Sequence, residues 1–165
     1  MTVFSLGRLS RQHLQGVHPH LARVVERAIR LTAVDFQIHE GLRTSTRQAA
    51  LVRAGASWTM NSRHISGHAV DLVPWVDLDQ DGQPALRWDW SLAYPIARAM
   101  RDASIELTIP LIWGGVWDTA LAHLPDPLEG AVAAYVARRR ALGKPARIDG
   151  PHFELPAPLY PADAP

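Results

Sequence analysis

The sequence contains no cysteine. That excludes a disulfide framework, a cysteine-based zinc finger, an iron–sulfur cluster and a cysteine nucleophile. It also lacks an excess of either charge: 17 Lys and Arg stand against 16 Asp and Glu, a formal net charge of +1. Such a balance gives no general electrostatic reason to expect nucleic acid as a partner. No run approaches the roughly 18–20 apolar residues of a membrane span. The opening stretch, Met1 to Arg8, is too short and too polar for the apolar core of a secretory signal, so synthesis in the cytoplasm is expected. Internal repeats and low-complexity blocks are absent as well. What is present is a 165-residue chain with 47% hydrophobic and 20% charged residues, the composition of one globular domain over 1–165. With no thiols, any metal site must draw on Asp, Glu and the eight histidines.

Periodicity gives a mixed set of elements. Residues 20–32 carry Leu21, Val24, Val25, Ala28 and Ile29 at helical spacing. Residues 33–39 alternate, with Val34, Phe36 and Ile38 on one face, and read as a strand. A helix is predicted over 44–54, capped by Thr44 or Ser45 and ended by Gly55. Residues 69–75 read as a buried strand, followed by a polar hairpin turn at 77–82 with Leu86, Trp88 and Trp90 returning. A helix over 91–103 with Ser91 as N-cap and Pro95 near its first turn, a β-rich stretch over 105–113, a helix over 128–142 closed by Gly143 and a last strand over 152–155 complete the list. Residues 156–165 form a proline-rich tail expected to be extended coil. Strands and helices mix without a βαβ rhythm, so the class is α+β, a small antiparallel sheet flanked by helices.

The stretch Ser62-Arg63-His64-Ile65-Ser66-Gly67-His68-Ala69-Val70-Asp71 carries the strongest chemical signal. His64 and His68 are four apart, as two metal ligands on one helix would be. Gly67 interrupts a helix, however, and the residues after it look extended. A loop histidine, His64, paired with a strand carboxylate, Asp71, fits better. A zinc site that keeps one position open for water needs a third ligand. Asp149-Gly150-Pro151-His152 offers His152 at the start of a strand. Asp149, three residues earlier across a Gly-Pro turn, supplies a carboxylate near the metal without ligating it, as a base for metal-assisted hydrolysis would.

The pattern Ser62-x-His64-x-x-Gly67-x-Ala69-x-Asp71, followed by Asp149-x-x-His152, resembles the zinc peptidases of the D-Ala-D-Ala carboxypeptidase and VanY type, which share a fold core and zinc site with the hedgehog signalling domain. Within that group it is most similar to phage endolysins that act as L-alanyl-D-glutamate peptidases. Glu40-Gly41-Leu42-Arg43-Thr44, Gln48, Leu51 and Gly55-Ala56-Ser57-Trp58 look like the segment that precedes the first ligand. Trp113-Gly114-Gly115-Val116-Trp117 resembles the family's strand end, and Asp at position 149 is the endolysin-like choice. The resemblance implies one Zn2+ held by His64, Asp71 and His152, with Asp149 as catalytic base. Arg43 would bind the substrate carbonyl or stabilise the oxyanion.

It further implies a monomeric endopeptidase acting on the peptidoglycan stem peptide, released to the wall through a holin. Residues 118–148 look long for a small endolysin and are expected to be a cleft-shaping insertion. Two rivals are a D,D- or L,D-carboxypeptidase of the same fold and a non-catalytic zinc-stabilised wall-binding module. Trp113 and Trp117 are candidates for lining the substrate groove, with core packing as the equal alternative. His68 is expected to sit behind the ligands or face solvent, and His13, His18, His20, His39 and His123 to be structural. Asp77-x-Asp79-x-Asp81-Gly82 resembles the start of a calcium loop, but Trp88 stands where a bidentate Glu is needed. Arg138, Arg139, Arg140, Lys144 and Arg147 read first as a solvated helix end and second as a contact for anionic envelope polymers.

Overall fold

The computed structural model describes residues 3–162; Met1, Thr2 and the last three tail residues lie outside it. The chain runs through α1 (Arg8–His13), α2 (Pro19–Leu31), β1 (Phe36–Glu40), α3 (Ser45–Arg53), β2 (Ala69–Val76), β3 (Ala85–Leu86), α4 (Trp90–Leu107), β4 (Ile112–Trp113), a 3₁₀ turn (Leu121–His123), α5 (Leu128–Ala141) and β5 (His152–Glu154). The strands form one antiparallel sheet in the order β1-β2-β5-β4, with β3 paired to β2 beside that path. The expected α+β class and small antiparallel sheet are what the chain adopts.

α2 forms where its apolar positions recur on one stripe. Leu21, Val24, Val25, Ala28 and Ile29 are all buried. Pro19 pre-sets the first turn and the His18 side chain accepts the His20 N–H. α2 packs on α4, and α4 packs on β2. Ile96, Met100, Leu111, Trp113 and Phe153 fill the space between. Residues 118–148 belong to this same core through Leu121, Leu128, Val132 and Tyr135.

Besides α1, which carries too few residues to show a helical period, four readings of the sequence need correction. The β-rich reading of 105–113 fails because α4 runs on to Leu107, its buried face continuing through Ala103, Ser104 and Leu107. Ile105 falls on the outer face of the helix and is exposed. Thr108 then turns left-handed at φ 55° and ends α4, leaving only Ile112 and Trp113 as strand. At its other end α4 begins at Trp90 after Asp89, so Ser91 is not the cap and Pro95 lies in the second turn. The strand returning from the polar hairpin is correspondingly short, ending at Leu86. Finally, residues 156–160 are not free coil. The Arg63 guanidinium donates to the Leu155 and Tyr160 carbonyls (3.0 and 2.6 Å), and Tyr160 packs on the core.

Candidate active site

Sheet register assembles the site. Glu40 on β1 is paired with Asp71 on β2, and Asp71 with His152 on β5. Three polar residues, distant in sequence, therefore stand in one row across three strands. A register irregularity between Ile38 and Glu40 shifts β1 at this point.

His64 reaches the row from the loop before β2. Gly67 takes φ +71°, and a Cβ there would run into the Gly16 carbonyl, so the turn needs glycine. The His64 carbonyl accepts from Arg43 N–H (3.0 Å), and His64 Nδ1 donates to the Gly41 carbonyl (2.8 Å). That bond leaves Nε2 with its lone pair facing Asp71. On the other side, His152 Nε2 lies 2.9 Å from Glu154 Oε2, which leaves Nδ1 facing inward.

Three inward atoms result: His64 Nε2, Asp71 Oδ1 and His152 Nδ1. They stand 3.2, 3.2 and 3.3 Å from one another. Among the described residues they form the one group of donors that could hold a metal ion. Two imidazole lone pairs and a carboxylate oxygen converging on a point make a place for positive charge. His152 registers that field. Burial favours its neutral ring, yet the bonds to Asp71 and Glu154 outweigh this and push its pKa up to about 10. Asp71 is moved in the complementary direction: burial works against its charge, but both histidines hold its carboxyl well below the usual carboxylate range.

Asp149 stands beside this group without joining it. Its N–H donates to the Gly114 carbonyl (2.8 Å) and its carbonyl accepts from His152 N–H (3.3 Å). Burial pushes its carboxyl up, and the nearby Asp71 charge adds to this, against the pull of His152, His64 and Arg43. A buried carboxyl beside the donor group is placed to exchange protons with a molecule bound there.

Arg43 is almost fully enclosed. Its Nη1 donates to Gln48 Oε1 (2.7 Å), and its Nη2 to Glu40 Oε2 (2.5 Å) and more weakly to Asp71 Oδ2 (3.4 Å). Gln48, buried on α3, is itself fixed by the Thr59 carbonyl and Ser57 Oγ. Glu40 also takes Arg47 Nε (2.5 Å); burial opposes its charge, but these two arginines hold its carboxyl below the ordinary range.

These residues line a cleft of about 890 Å³ whose walls include His39, Arg43, Trp58, His64, Asp71, Trp88, Trp117, Asp149 and His152. From the 118–148 segment come Tyr135, Arg139, Pro145 and Arg147. Trp117 lies against the His152 ring at 5.1 Å, and Trp58 meets Trp117 edge-on at 6.3 Å. Trp113 is not at the cleft. It is fully buried, stacked near Phe153, and its Nε1 donates to the Gly150 carbonyl (2.7 Å), holding the Asp149–His152 turn from behind. The groove-lining expectation for Trp113 is therefore corrected to core packing.

His68 is kept out of the donor group. It is buried against His18, ring to ring at 5.1 Å, and its Nδ1 pairs with Ser66 Oγ. Asp77 spends both carboxylate oxygens on the N–H groups of Asp81 and Gly82, as a polar hairpin turn does. Of the basic cluster, Arg138 pairs with Asp118 while Arg139 and Arg147 reach the cleft. Glu154 was missed as a partner of His152. The signal was available in the His-x-Glu spacing, which on a strand puts both side chains on one face.

Comparison with known proteins shows the family. A crystal structure of the Serratia marcescens L-Ala D-Glu endopeptidase ChiX superposes with a TM-score of 0.71 at 36% identity, covering 96% of this chain and 95% of that one. An L-alanyl-D-glutamate peptidase of Escherichia phage T5 is 31% identical over 120 residues, 71% of this chain and 84% of the relative. The family model for phage L-alanyl-D-glutamate peptidases matches residues 2–132, which takes in Arg43, His64 and Asp71 and stops short of Asp149 and His152. The chain belongs to the phage L-alanyl-D-glutamate peptidase family.

Proposed function

We propose that this protein is a zinc-dependent peptidoglycan endopeptidase of the endolysin type, which hydrolyses the amide between L-alanine and D-glutamate in the stem peptide. The convergence of His64 Nε2, Asp71 Oδ1 and His152 Nδ1, with Asp149 beside them in an open cleft, carries this reading. The donor set fits one zinc ion. A tetrahedron with bonds of about 2.0–2.1 Å has edges of roughly 3.3–3.4 Å, close to the 3.2–3.3 Å separations of the three atoms. Three protein ligands leave a fourth position open, as catalytic zinc requires.

When bound, zinc supplies Lewis-acid polarisation of the scissile carbonyl and makes water a stronger nucleophile near neutral pH. The chain's own residues do the rest. Asp149 accepts the proton of the attacking water at its carboxylate and delivers it to the amide nitrogen as the C–N bond breaks. Its burial-raised proton affinity suits it to both halves of that transfer. Arg43 contributes positive charge toward the oxyanion. Its Nη1 keeps one hydrogen beyond the Gln48 bond, and Glu40, Gln48 and Asp71 hold the group in place. Glu154 and the Gly41 carbonyl orient the two histidines. Trp117, packed on His152, lines the cleft beside the ligand set.

No helix among the described residues is long and apolar enough to cross a membrane. We infer cytoplasmic synthesis, holin-dependent access to the wall and action as a monomer, with residues 118–148 as the segment that shapes one side of the cleft.

The experiment is digestion of purified peptidoglycan with zinc-loaded and chelator-stripped protein, followed by mass spectrometry of the fragments. New amino-terminal D-glutamate, produced only with metal, is the expected result. Release of terminal D-alanine alone would make the protein a carboxypeptidase. No product from folded, zinc-bearing protein would make it a wall-binding module.

A further inference from the structure

The arginines that reach the cleft are not equivalent. Arg43 and Arg47 both pair with Glu40, and Arg43 also with Asp71. Arg63 is used by the Leu155 and Tyr160 carbonyls. Arg139 and Arg147 have no carboxylate partner among the described residues, although seven other arginines do. Arg139 donates its Nε to the Pro145 carbonyl (3.1 Å), which fixes its stem and leaves its terminal nitrogens without a recorded partner. Among the described residues Arg147 makes no side-chain hydrogen bond or ion pair; its guanidinium lies over the Trp58 ring, 5.4 Å from the centroid. The Arg147 backbone is held too, since its carbonyl accepts from Trp117 Nε1 (2.7 Å). Two cations without a carboxylate partner among the described residues thus line the cleft that also holds Asp149 and the donor group.

Their position relative to the chemistry is defined. His152 touches Trp117, Trp117 touches Trp58, and Trp58 carries Arg147. Arg147 also lies two residues before Asp149 in the chain. If Asp149 protonates the leaving amine, the leaving residue occupies the Asp149 side of the cleft, beside Arg147. That residue is glutamate in the proposed reaction. Glutamate has two carboxyls, and only one continues the peptide, so a free carboxylate stands within a few bonds of the amide that is cut.

We propose that Arg139 and Arg147 form a carboxylate-recognition subsite that selects substrates whose glutamate retains its free carboxylate over those in which it is amidated. The inference rests on the endopeptidase reading above and assigns specificity, not catalysis, to the two arginines. It also gives a purpose to residues 118–148, which supply both of them.

The test uses zinc-loaded full-length protein and two synthetic stem peptides, one with the free carboxylate and one with the carboxamide. A charge-assisted contact contributes enough to discriminate about tenfold to a hundredfold. The wild type is expected to show that preference in kcat/KM, expressed through KM. Arg139→Gln with Arg147→Gln should lose it by slowing only on the free carboxylate, and the double lysine variant should keep much of it. Arg147→Gln alone, which breaks no described hydrogen bond, is the second variant should the double one fold poorly. Equal cleavage of both peptides by the wild type, or equal losses on both by the variants, would overturn the inference while leaving the peptidase intact. Cleavage of neither peptide, or at another bond, would overturn the endopeptidase reading and the subsite with it.

Discussion

His152 is gripped from outside by Glu154, two residues along the same face of β5, with 2.9 Å between Nε2 and Oε2. The carboxylate fixes which ring nitrogen carries the proton, so the other is left for a metal. Replacing Glu154 with Ala should weaken zinc binding by about 10–100-fold with the fold retained. Competition against a chromophoric chelator measures this. An unchanged affinity would show that the ring needs no such support.

Asp149 and the ligands should separate cleanly. Asp149→Asn is expected to keep zinc and lower kcat by about 10²–10⁴-fold. His152→Ala should lose the metal itself. Metal content by elemental analysis beside the rate distinguishes the two, and undiminished activity in Asp149→Asn would remove that residue from the mechanism.

The pH profile has a definite sign. Burial raises the Asp149 pKa above its usual 3.8, and the working base is the deprotonated form. Activity should therefore fall on the acid side as Asp149 takes up its proton. Ligand protonation also costs activity in acid, so zinc content is measured at each pH. The residual activity of Asp149→Asn should lack the part of the limb over which zinc stays bound.

Gly114 sets where Asp149 lies. A Cβ at this position would collide with the Asp149 backbone carbonyl and stand 3.0 Å from its Cβ. Gly114→Ala should push the base aside. A displacement near 1 Å costs roughly 10²-fold in rate, and zinc content should be unaffected. Full activity in this variant would mean that the turn yields without moving the carboxylate.

Gln48 is fully buried and ties Arg43 to the Thr59 carbonyl and Ser57. Gln48→Leu removes those three bonds and should destabilise the protein by about 1–3 kcal/mol, read from denaturant midpoints. The rate should fall as well, because Arg43 loses one of its holders.

Much of the site was legible because it is written in short local patterns. His64, Gly67 and Asp71 occupy one loop-to-strand passage, and the positive φ that favours glycine at Gly67 belongs to that turn. Asp149 and His152 sit in a four-residue turn. α2 and β2 were readable for the same reason, since their apolar positions repeat at the periods of helix and strand. The stretch 105–113 was misread because β-branched and apolar residues there satisfy either period; α4 runs on through 105–107 with Leu107 packed on the core. Trp113 and Trp117 look alike in sequence, four residues apart in a glycine-rich segment. One is fully buried behind the turn and the other lies on His152. Nothing local decides that, because it depends on which side of β4 faces β5 and the core.

The sequence by itself determined the chemistry available: no thiols, closely spaced histidines and carboxylates, and an α+β chain. It did so because residue identity and close spacing fix donor type and local conformation. The tertiary structure alone decided that Glu40, Asp71 and His152 stand in one row, that Glu154 and Gly41 set the tautomers, and that Arg139 and Arg147 face the cleft while Arg138 is paired with Asp118. Those facts depend on strand register and on how α5 packs against α4, which are set by the fit of the whole core and by no segment of it.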